Sequence, residues 1–118
     1  MIKRKNQIKF ETIKRKVDFS RVLNEGIYRR YRYLTIYVLK KPDCSECFRA
    51  GFIVSKKIGG AVLRNRIKRI IKEILRKSDI KLTGSIDALF IVNRGTEGKD
   101  LKELKKELKN NLSLFNNN

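Results

Sequence analysis

The most regular pattern of apolar positions in the chain lies within residues 54–77. After two adjacent glycines, apolar side chains recur at three- and four-residue steps, which places them on one face of a helix. The residues on this face are Leu63, Ile67, Ile70, Ile71 and Ile74. Most of the other positions carry arginine or lysine, and like charges four residues apart destabilise a free helix by about 0.3 kcal/mol per pair. We therefore expect a sheet to hold the apolar face, which leaves the basic face free for an anionic partner.

Two further helices are predicted, one towards each end of the chain. The first spans residues 13–24 and ends at Gly26, and the second spans residues 100–114. Asp18 and Ser20 are the candidate capping residues of the first helix. In the second helix, Asp100 and Glu103 resemble a capping box. A leucine stripe of the second helix predicts a core face, formed by Leu101, Leu104, Leu108 and Leu112.

Three apolar segments predict strands. Residues 27–40 alternate between an aliphatic face and a face with tyrosines. Within this segment, a short strand near Tyr28 is predicted to precede the main strand. Residues 42–46 predict a hairpin turn, so that residues 48–54 form the returning strand. Residues 86–92 form an apolar run, interrupted only by Asp87, as in a central strand. The tyrosine-bearing face is predicted to carry Tyr31, Tyr33, Thr35 and Tyr37.

These elements predict one α+β domain over residues 1–118, an α/β sandwich. We expect a mixed sheet of about four strands and three helices, in the order α-β-β-(β)-α-β-α, with a parallel crossover around the basic helix. Residues 1–12 predict a mobile basic arm, and residues 115–118 predict a frayed tail.

The charge of the chain defines the class of partner. Its 118 residues carry a formal net charge of +18, and its pI is about 10.3, which indicates a polyanion as the partner. No apolar run approaches the roughly 20 residues of a membrane span, and the N-terminus lacks the apolar core of a secretory signal. We therefore expect a soluble cytoplasmic protein. A basic helix lying on a membrane is the competing interpretation, and it is weakened because cations occur along the whole chain, including the predicted strands.

The two cysteines, Cys44 and Cys47, form a C-x-x-C pair in the predicted hairpin. A zinc site would need two more ligands, and the chain has no histidine and no third cysteine. A thioredoxin-like redox pair would precede a helix, whereas a strand is predicted after Cys47. We interpret both residues as reduced loop thiols without a metal.

The acidic residues do not predict a nuclease site. Hydrolysis of a phosphodiester by a protein usually requires clustered carboxylates that hold a metal, or a general acid–base pair. The chain has no histidine, and its 12 acidic residues are scattered. The sequence therefore predicts a nucleic-acid-binding protein rather than one that cleaves by itself.

The predicted binding surface is the basic helix together with the loop before it. Arginine binds phosphate through two donors, and the amide of Asn65 can both donate and accept a hydrogen bond. Tyrosines beside Arg29, Arg30 and Arg32 suit stacking on unpaired bases, although tyrosines also simply favour strands. The candidate RNA-binding residues are Lys56, Lys57, Arg64, Asn65, Arg66, Lys68, Arg69 and Lys72.

This segment resembles the signature of the bacterial ribonuclease P protein subunit, in which an Arg-Asn-Arg motif follows a Ser-Lys-Lys…Gly…Ala-Val run. The resemblance covers about residues 13–112 and is most specific at this helix. The matching residues are Ser55, Lys56, Lys57, Gly59, Ala61, Val62, Arg64, Asn65, Arg66, Lys68 and Arg69.

The resemblance implies a function and further site residues. It implies that the protein binds the catalytic RNA subunit and the 5′ leader of precursor tRNA, without an obligate protein partner. The RNA subunit would perform the cleavage with Mg²⁺ that the RNA mainly holds. It also implies a left-handed crossover and a leader-binding cleft formed by Phe19, Leu23, Thr35 and Tyr37. We add Lys56 to this predicted cleft. Asn93 departs from the pattern, because many members have an arginine there.

Two alternatives remain open from the residues alone. A small ribosomal protein would explain the charge and fold but not the extended signature. A DNA-binding protein would place the basic helix in a major groove, but it would also need a helix-turn-helix partner, and strands flank this helix instead.

Overall fold

The computed structural model describes residues 10–41, 47–78, 80 and 84–115. It contains five strands and three α-helices, with short 3₁₀ turns at Gly98–Asp100 and Leu112–Phe115. The elements are β1 (Phe10–Thr12), α1 (Lys16–Glu25), β2 (Ile27–Arg30), β3 (Leu34–Lys41), β4 (Phe48–Ile53), α2 (Ala61–Arg76), β5 (Ser85–Val92) and α3 (Leu101–Asn110). The α+β class and the three helices are confirmed, and β1 is the strand beyond the predicted order.

The five strands form one mixed sheet in the order β1-β4-β5-β3-β2. β5 is the central strand, as predicted, and it is parallel to β4 and antiparallel to β3. The predicted hairpin between β3 and β4 is wrong, because β5 lies between them. A strand that is nearly continuously apolar is most stable at the centre of a sheet, where both of its edges are hydrogen-bonded and both of its faces are covered. The predicted turn, residues 42–46, lies outside the described residues.

Side chains on the two faces of the sheet alternate between two apolar clusters. On one face, β3 and β5 pack against the buried sides of α2 and α3. On the other face, Leu89 of β5 packs with Ile13 and with Val22 of α1, beside half-buried Tyr37 and Leu39. The sheet therefore separates a layer with two helices from a layer with one. The apolar faces predicted for α2 and α3 are confirmed in the layer with two helices.

α1 begins and ends differently from the prediction. It starts after Arg15, without a hydrogen bond from a capping side chain, so Asp18 and Ser20 lie inside the helix. Gly26 does follow its last residue, but the backbone of Gly26 is extended (φ −78°) rather than left-handed. A Cβ there would lie 2.6 Å from the carbonyl oxygen of Val22. Glycine is needed because two backbone segments approach closely, not because of its φ.

The segment between β2 and β3 interrupts the predicted long strand. Residues 31–33 form a turn, so the alternation of faces restarts at Leu34. Tyr31 and Tyr33 pack against the α2–α3 layer, whereas Tyr37 lies on the α1 side. The single tyrosine-bearing face predicted from the sequence is therefore wrong.

The ends of the chain also differ from the prediction. Phe10–Thr12, assigned to the arm, form β1, because their backbone pairs in parallel with β4. Phe115, assigned to the tail, is fully buried, with its ring 5.3 Å from that of Phe48. Residues 1–9 and 116–118 lie outside the described residues. The capping box before α3 is formed by Glu97 and Asp100 rather than by Asp100 and Glu103, because a 3₁₀ turn precedes the helix.

Candidate nucleic-acid interface

A tight turn between β4 and α2 displays two lysines. The backbone N–H of Ile58 donates to the carbonyl of Ser55 at 3.0 Å, and the N–H of Lys57 donates to Ser55 Oγ at 3.0 Å. Ile58 is buried in the main core, while Lys56 and Lys57 are exposed. Burial of Ile58 thus fixes the turn, and the two lysines project from it just before the basic helix.

α2 is fixed to the sheet by side chains spaced four residues apart. Ile67, Ile71 and Leu75 are fully buried, and Leu75 extends the apolar face that the sequence pattern predicted. Arg64 borders this face and is only half-exposed, and its Nε donates to the carbonyl of Gly59 at 3.1 Å. The first arginine of the motif is therefore held against the turn that precedes the helix.

The remaining motif residues lie on the outer side of α2. Asn65, Arg66 and Arg69 are exposed. Lys68 and Lys72 are half-buried at the border of the helix. All of these residues lie on one helix and one turn, so the structure brings the eight candidates of the basic surface together. We call this set, from Lys56 to Lys72, the α2 basic face.

Aromatic rings of the sheet support the inner border of this face. The ammonium of Lys72 lies 5.5 Å from the centre of the Phe52 ring, and Phe52 stacks on Phe90. One turn later, the guanidinium of Arg76 lies 5.4 Å from the centre of the Phe10 ring in β1. Cation–π contacts of this kind orient long basic side chains that would otherwise be free. Arg76 is the last residue of α2 and lies beside the α2 basic face, but it was not among the candidate RNA-binding residues.

The four candidate cleft residues all lie on the opposite side of the sheet, either on α1 or on the strands beside it. One row of that face crosses four strands and contains Tyr28, Tyr37, Leu89 and Gly51. The ring of Phe19 covers Gly51 so closely that a Cβ at Gly51 would lie 2.9 Å from Phe19 Cε1. Phe19 and Tyr37 therefore belong to one wall, and Gly51 makes room for the ring.

The next row of this face is more open. It contains Arg30, Thr35, Ile91 and Ile53, in register across β2, β3, β5 and β4. All except the exposed Arg30 are half-buried. Thr35 donates a hydrogen bond to Asn93 Oδ1 at 2.7 Å, so its hydroxyl is already engaged. We call the surface formed by these two rows and α1 the α1 cleft.

Two further residues complete the description of the α1 cleft. Leu23, the fourth candidate, lies one turn after Phe19 on α1 and is 41% exposed. Tyr28 was not a candidate, although it is 59% exposed and its ring stacks on Tyr37 at 5.2 Å. The pairing of β2 with β3 places it there, and only the sequence position of a tyrosine in a short strand hinted at it.

The two surfaces meet at the end of β4. Ile53, the last residue of β4, belongs to the open row of the α1 cleft. The turn with Lys56 and Lys57 follows directly and leads into α2. A strand of nucleic acid leaving the α1 cleft at this edge would therefore encounter the α2 basic face.

Asn93 and Glu107 hold the turn between β2 and β3 from two sides. Asn93 Nδ2 donates to the carbonyls of Tyr31 (2.9 Å) and Arg32 (3.1 Å). The Glu107 carboxylate accepts the backbone N–H groups of Arg32, Tyr33 and Leu34 at 2.9 to 3.0 Å. Asn93, noted above as a departure from the expected arginine, thus has a structural role in this chain.

A buried carboxylate anchors α1 to the sheet. Asp87 is 1% exposed, and Arg49 donates two hydrogen bonds to it, at 2.9 and 2.6 Å. Lys41 Nζ lies 3.3 Å from the same carboxylate, and Arg49 also lies 3.5 Å from Asp18 of α1. Burial alone would raise the pKa of Asp87, but the hydrogen bonds and charge of Arg49, with the charge of Lys41, outweigh it, so this pKa is lowered.

The described residues offer neither a metal site nor a membrane span. No group of three or more histidine, cysteine, aspartate or glutamate side chains is placed to hold a metal ion in that part of the chain. No described helix is long and apolar enough to cross a bilayer. Cys47 is half-buried and unpaired, and burial raises the pKa of its thiol. Cys44 lies outside the described residues.

Comparison with known proteins identifies the family. The Ribonuclease P family model matches residues 8–115. The ribonuclease P protein component of Halalkalibacterium halodurans is 40% identical over 96 residues, covering 81% of this chain and 80% of that protein. The component from Dictyoglomus thermophilum is 43% identical over 93 residues, covering 79% and 76%.

Solved structures agree with this assignment. The RNase P protein of Staphylococcus aureus is 32% identical, with a TM-score of 0.66 over 91% of this chain and 93% of that one. The RNase P protein from Thermotoga maritima, 24% identical, shares the fold with a TM-score of 0.67 over 89% and 94%. The chain therefore belongs to the ribonuclease P protein family.

Proposed function

We propose that this protein binds the RNA subunit of ribonuclease P and the 5′ leader of precursor tRNA, and so assists removal of the leader. The observation that carries the proposal is that two different surfaces meet at one edge of the sheet, at the end of β4. One is cationic and lies on α2 and the turn before it, and the other carries aromatic rings and lies on the opposite face of the sheet. We infer a cytoplasmic site of action, where tRNA precursors are processed.

The α2 basic face suits the phosphates of a folded RNA. Its exposed arginines are held on a helix whose opposite side is fully buried, so they are presented on a rigid support. Rigid, forked guanidinium groups bind phosphate oxygens through two donors at once. We assign this face to the RNA subunit, with the adjoining leader phosphates reaching Lys56 and Lys57.

The α1 cleft suits a single strand. Phe19, Tyr37 and Tyr28 offer ring surfaces, and Arg30 adds a cation in the neighbouring row. Unpaired bases stack on such rings with about 1–3 kcal/mol each and with little sequence preference. We assign this cleft to the leader, which is single-stranded, with Leu23 and Thr35 completing its wall.

The cleavage chemistry is assigned to the RNA subunit. The described residues offer no carboxylate cluster for Mg²⁺, and the net charge of +18 would oppose binding of a cation by the protein alone. In the holoenzyme Mg²⁺ would supply an activated water and stabilise the leaving oxygen. The protein's contribution is to hold substrate and catalytic RNA together and to neutralise phosphates.

Reconstitution tests the proposal. Mixed with a ribonuclease P RNA at low Mg²⁺, the protein should accelerate cleavage of precursor tRNA. The variant Arg64→Glu/Arg66→Glu/Arg69→Glu should remain folded, because none of the three positions is buried. It should lose most of that stimulation, whereas three matched reversals at exposed Lys14, Lys40 and Arg94 should retain it.

The outcomes separate the alternatives. Absence of stimulation by the wild-type protein, with an RNA that is active at high Mg²⁺, would reject the proposed function and favour a ribosomal RNA-binding role. Full stimulation by the folded arginine variant would reject the assignment of the α2 basic face.

A further inference from the structure

We infer a second RNA-contacting surface, the groove between α2 and α3, which binds the phosphate backbone of the RNA subunit. The inference rests on the proposed function and adds a contact to it. The groove has a volume of about 350 Å³ and lies at the C-terminal end of α2. It is lined by Ile70, Glu73, Ile74, Lys77, Ser78, Lys105, Lys109 and Leu112.

The charges on α3 are divided between its two sides. The side chains of Glu103 and Glu107 lie on the side next to the β2–β3 turn, where Glu107 accepts backbone N–H groups. Lys106 lies on that side with the two glutamates, whereas Lys105 and Lys109 line the groove. The exposed lysines of α3 are Lys102, Lys105, Lys106 and Lys109.

This arrangement is unfavourable for the isolated protein. Lys105 and Lys109 are four residues apart, as are Lys102 and Lys106, and like charges at this spacing destabilise a helix. None of the four makes a salt bridge with a described acidic residue. Leucines bury the other side of the helix, so these lysines are not needed for packing. A polyanion would remove the repulsion.

The groove itself combines cations with an apolar floor. Lys77 comes from the end of α2 and faces Lys105 and Lys109 across half-buried Ile70 and Ile74. Glu73 is the sole carboxylate among the lining residues and is exposed. Three lysines against one glutamate leave an excess positive charge of two in the groove.

The position of the groove selects the RNA subunit over the leader. α2 and α3 cover one face of the sheet, while the α1 cleft lies on the other. The groove is also distant along α2 from Arg64, because Lys77 follows it by 13 residues, or roughly 20 Å of helix. A leader bound in the α1 cleft would have to pass around the molecule to reach it. A large folded RNA can contact both faces.

The test measures the salt dependence of binding to a ribonuclease P RNA. The groove variant Lys77→Gln/Lys105→Gln/Lys109→Gln should reduce the slope of log K against log salt concentration by about three, one for each lost phosphate contact. Its affinity should fall about tenfold or more at 150 mM salt. A control with the same change in net charge, at exposed positions outside both surfaces, should alter the slope by less than one: Lys14→Gln, Lys40→Gln and Arg94→Gln.

A second variant is expected to change the affinity for the RNA in the opposite direction. Glu73→Gln removes the carboxylate from the groove and should tighten binding about threefold, an effect that damage to the fold cannot produce. Glu103→Gln, on the other side of α3, is its matched control and should leave the affinity unchanged.

Each outcome decides one question. The groove variant could bind with the salt slope and affinity of the wild type, while the arginine variant of α2 binds the RNA more weakly. That result would overturn this inference and leave the proposed function intact. Equal losses of affinity in the groove and control variants would show that only the net charge matters, and this would also overturn the inference. Weaker binding of a single-stranded leader oligonucleotide by the groove variant would overturn the assignment to the RNA subunit. No binding of ribonuclease P RNA by the wild-type protein would reject the proposed function itself.

Discussion

Replacing Glu107 by alanine should destabilise the protein more than any other change on the exposed side of α3. Its carboxylate accepts hydrogen bonds from three consecutive backbone N–H groups, those of residues 32, 33 and 34. The contact joins α3 to the turn between β2 and β3 across more than 70 residues of sequence. Loss of the carboxylate therefore affects both the turn and the docking of the last helix.

The magnitude follows from the exposure of the three donors. A hydrogen bond to a charged group contributes about 1.5–3 kcal/mol, and a buried donor left without a partner costs about 1–3 kcal/mol. The N–H of Arg32 is in an exposed setting, so water can replace the carboxylate there, whereas those of Tyr33 and Leu34 are partly buried. Two unsatisfied donors give an expected loss of about 2–4 kcal/mol in the free energy of unfolding.

Urea denaturation of Glu107→Ala measures this loss directly. Glu103→Ala is the matched control, because Glu103 lies one turn earlier on α3 and is exposed, so its replacement should change the stability by less than about 0.5 kcal/mol. Glu107→Gln retains an acceptor oxygen but not the charge, and its stability should lie between the two. Equal stability of the Glu107→Ala and Glu103→Ala proteins would show that the turn does not depend on this carboxylate.

Further predictions concern the buried carboxylate and the close approach of backbone. Asp87→Asn should cost about 3 kcal/mol at pH 7, because it leaves Arg49 without its main partner. The pKa of Asp87 is lowered on folding, so its contribution is present above the unfolded pKa of about 3.9 and is lost as the pH falls through the lower folded pKa. The stability difference between wild type and variant, measured by denaturation from pH 7 to pH 2.5, should therefore narrow in acid, and a constant difference would contradict the role assigned to the charge. Gly26→Ala should lower the thermal midpoint by several degrees, since its Cβ would meet the Val22 carbonyl at 2.6 Å. Gly98→Ala, where the nearest side-chain atom lies at 3.9 Å, should not, and equal midpoints would refute the steric argument.

Local periodicity predicts a large part of the fold. The apolar faces of α2 and α3 repeat every three or four residues, and β5 is apolar apart from Ser85 and Asp87, so the sequence pattern is sufficient to predict two helices and a central strand. The α2 basic face was predictable for the same reason, because all its members lie on one turn and one helix. Each of these features depends on neighbours within a few residues along the chain.

The features that were predicted wrongly depend on distant parts of the chain. The pairing of β3 with β5 instead of β4, and of β1 with β4, is decided by which strands bury the most apolar surface together. The division of the tyrosines between the two faces follows from the turn at residues 31–33, which Asn93 and Glu107 hold from 60 to 75 residues away. No local pattern carries that information.

The sequence alone determined the charge, the main helices and the central strand, and through its motif it indicated the family. The tertiary structure decided that Tyr28 lies beside Tyr37, that Asn93 supports a turn, and that Lys77 shares a groove with Lys105 and Lys109. The physical reason is that helix and strand periods are set by each residue's own backbone geometry. The positions where separate elements converge are instead set by packing between segments that the sequence places far apart.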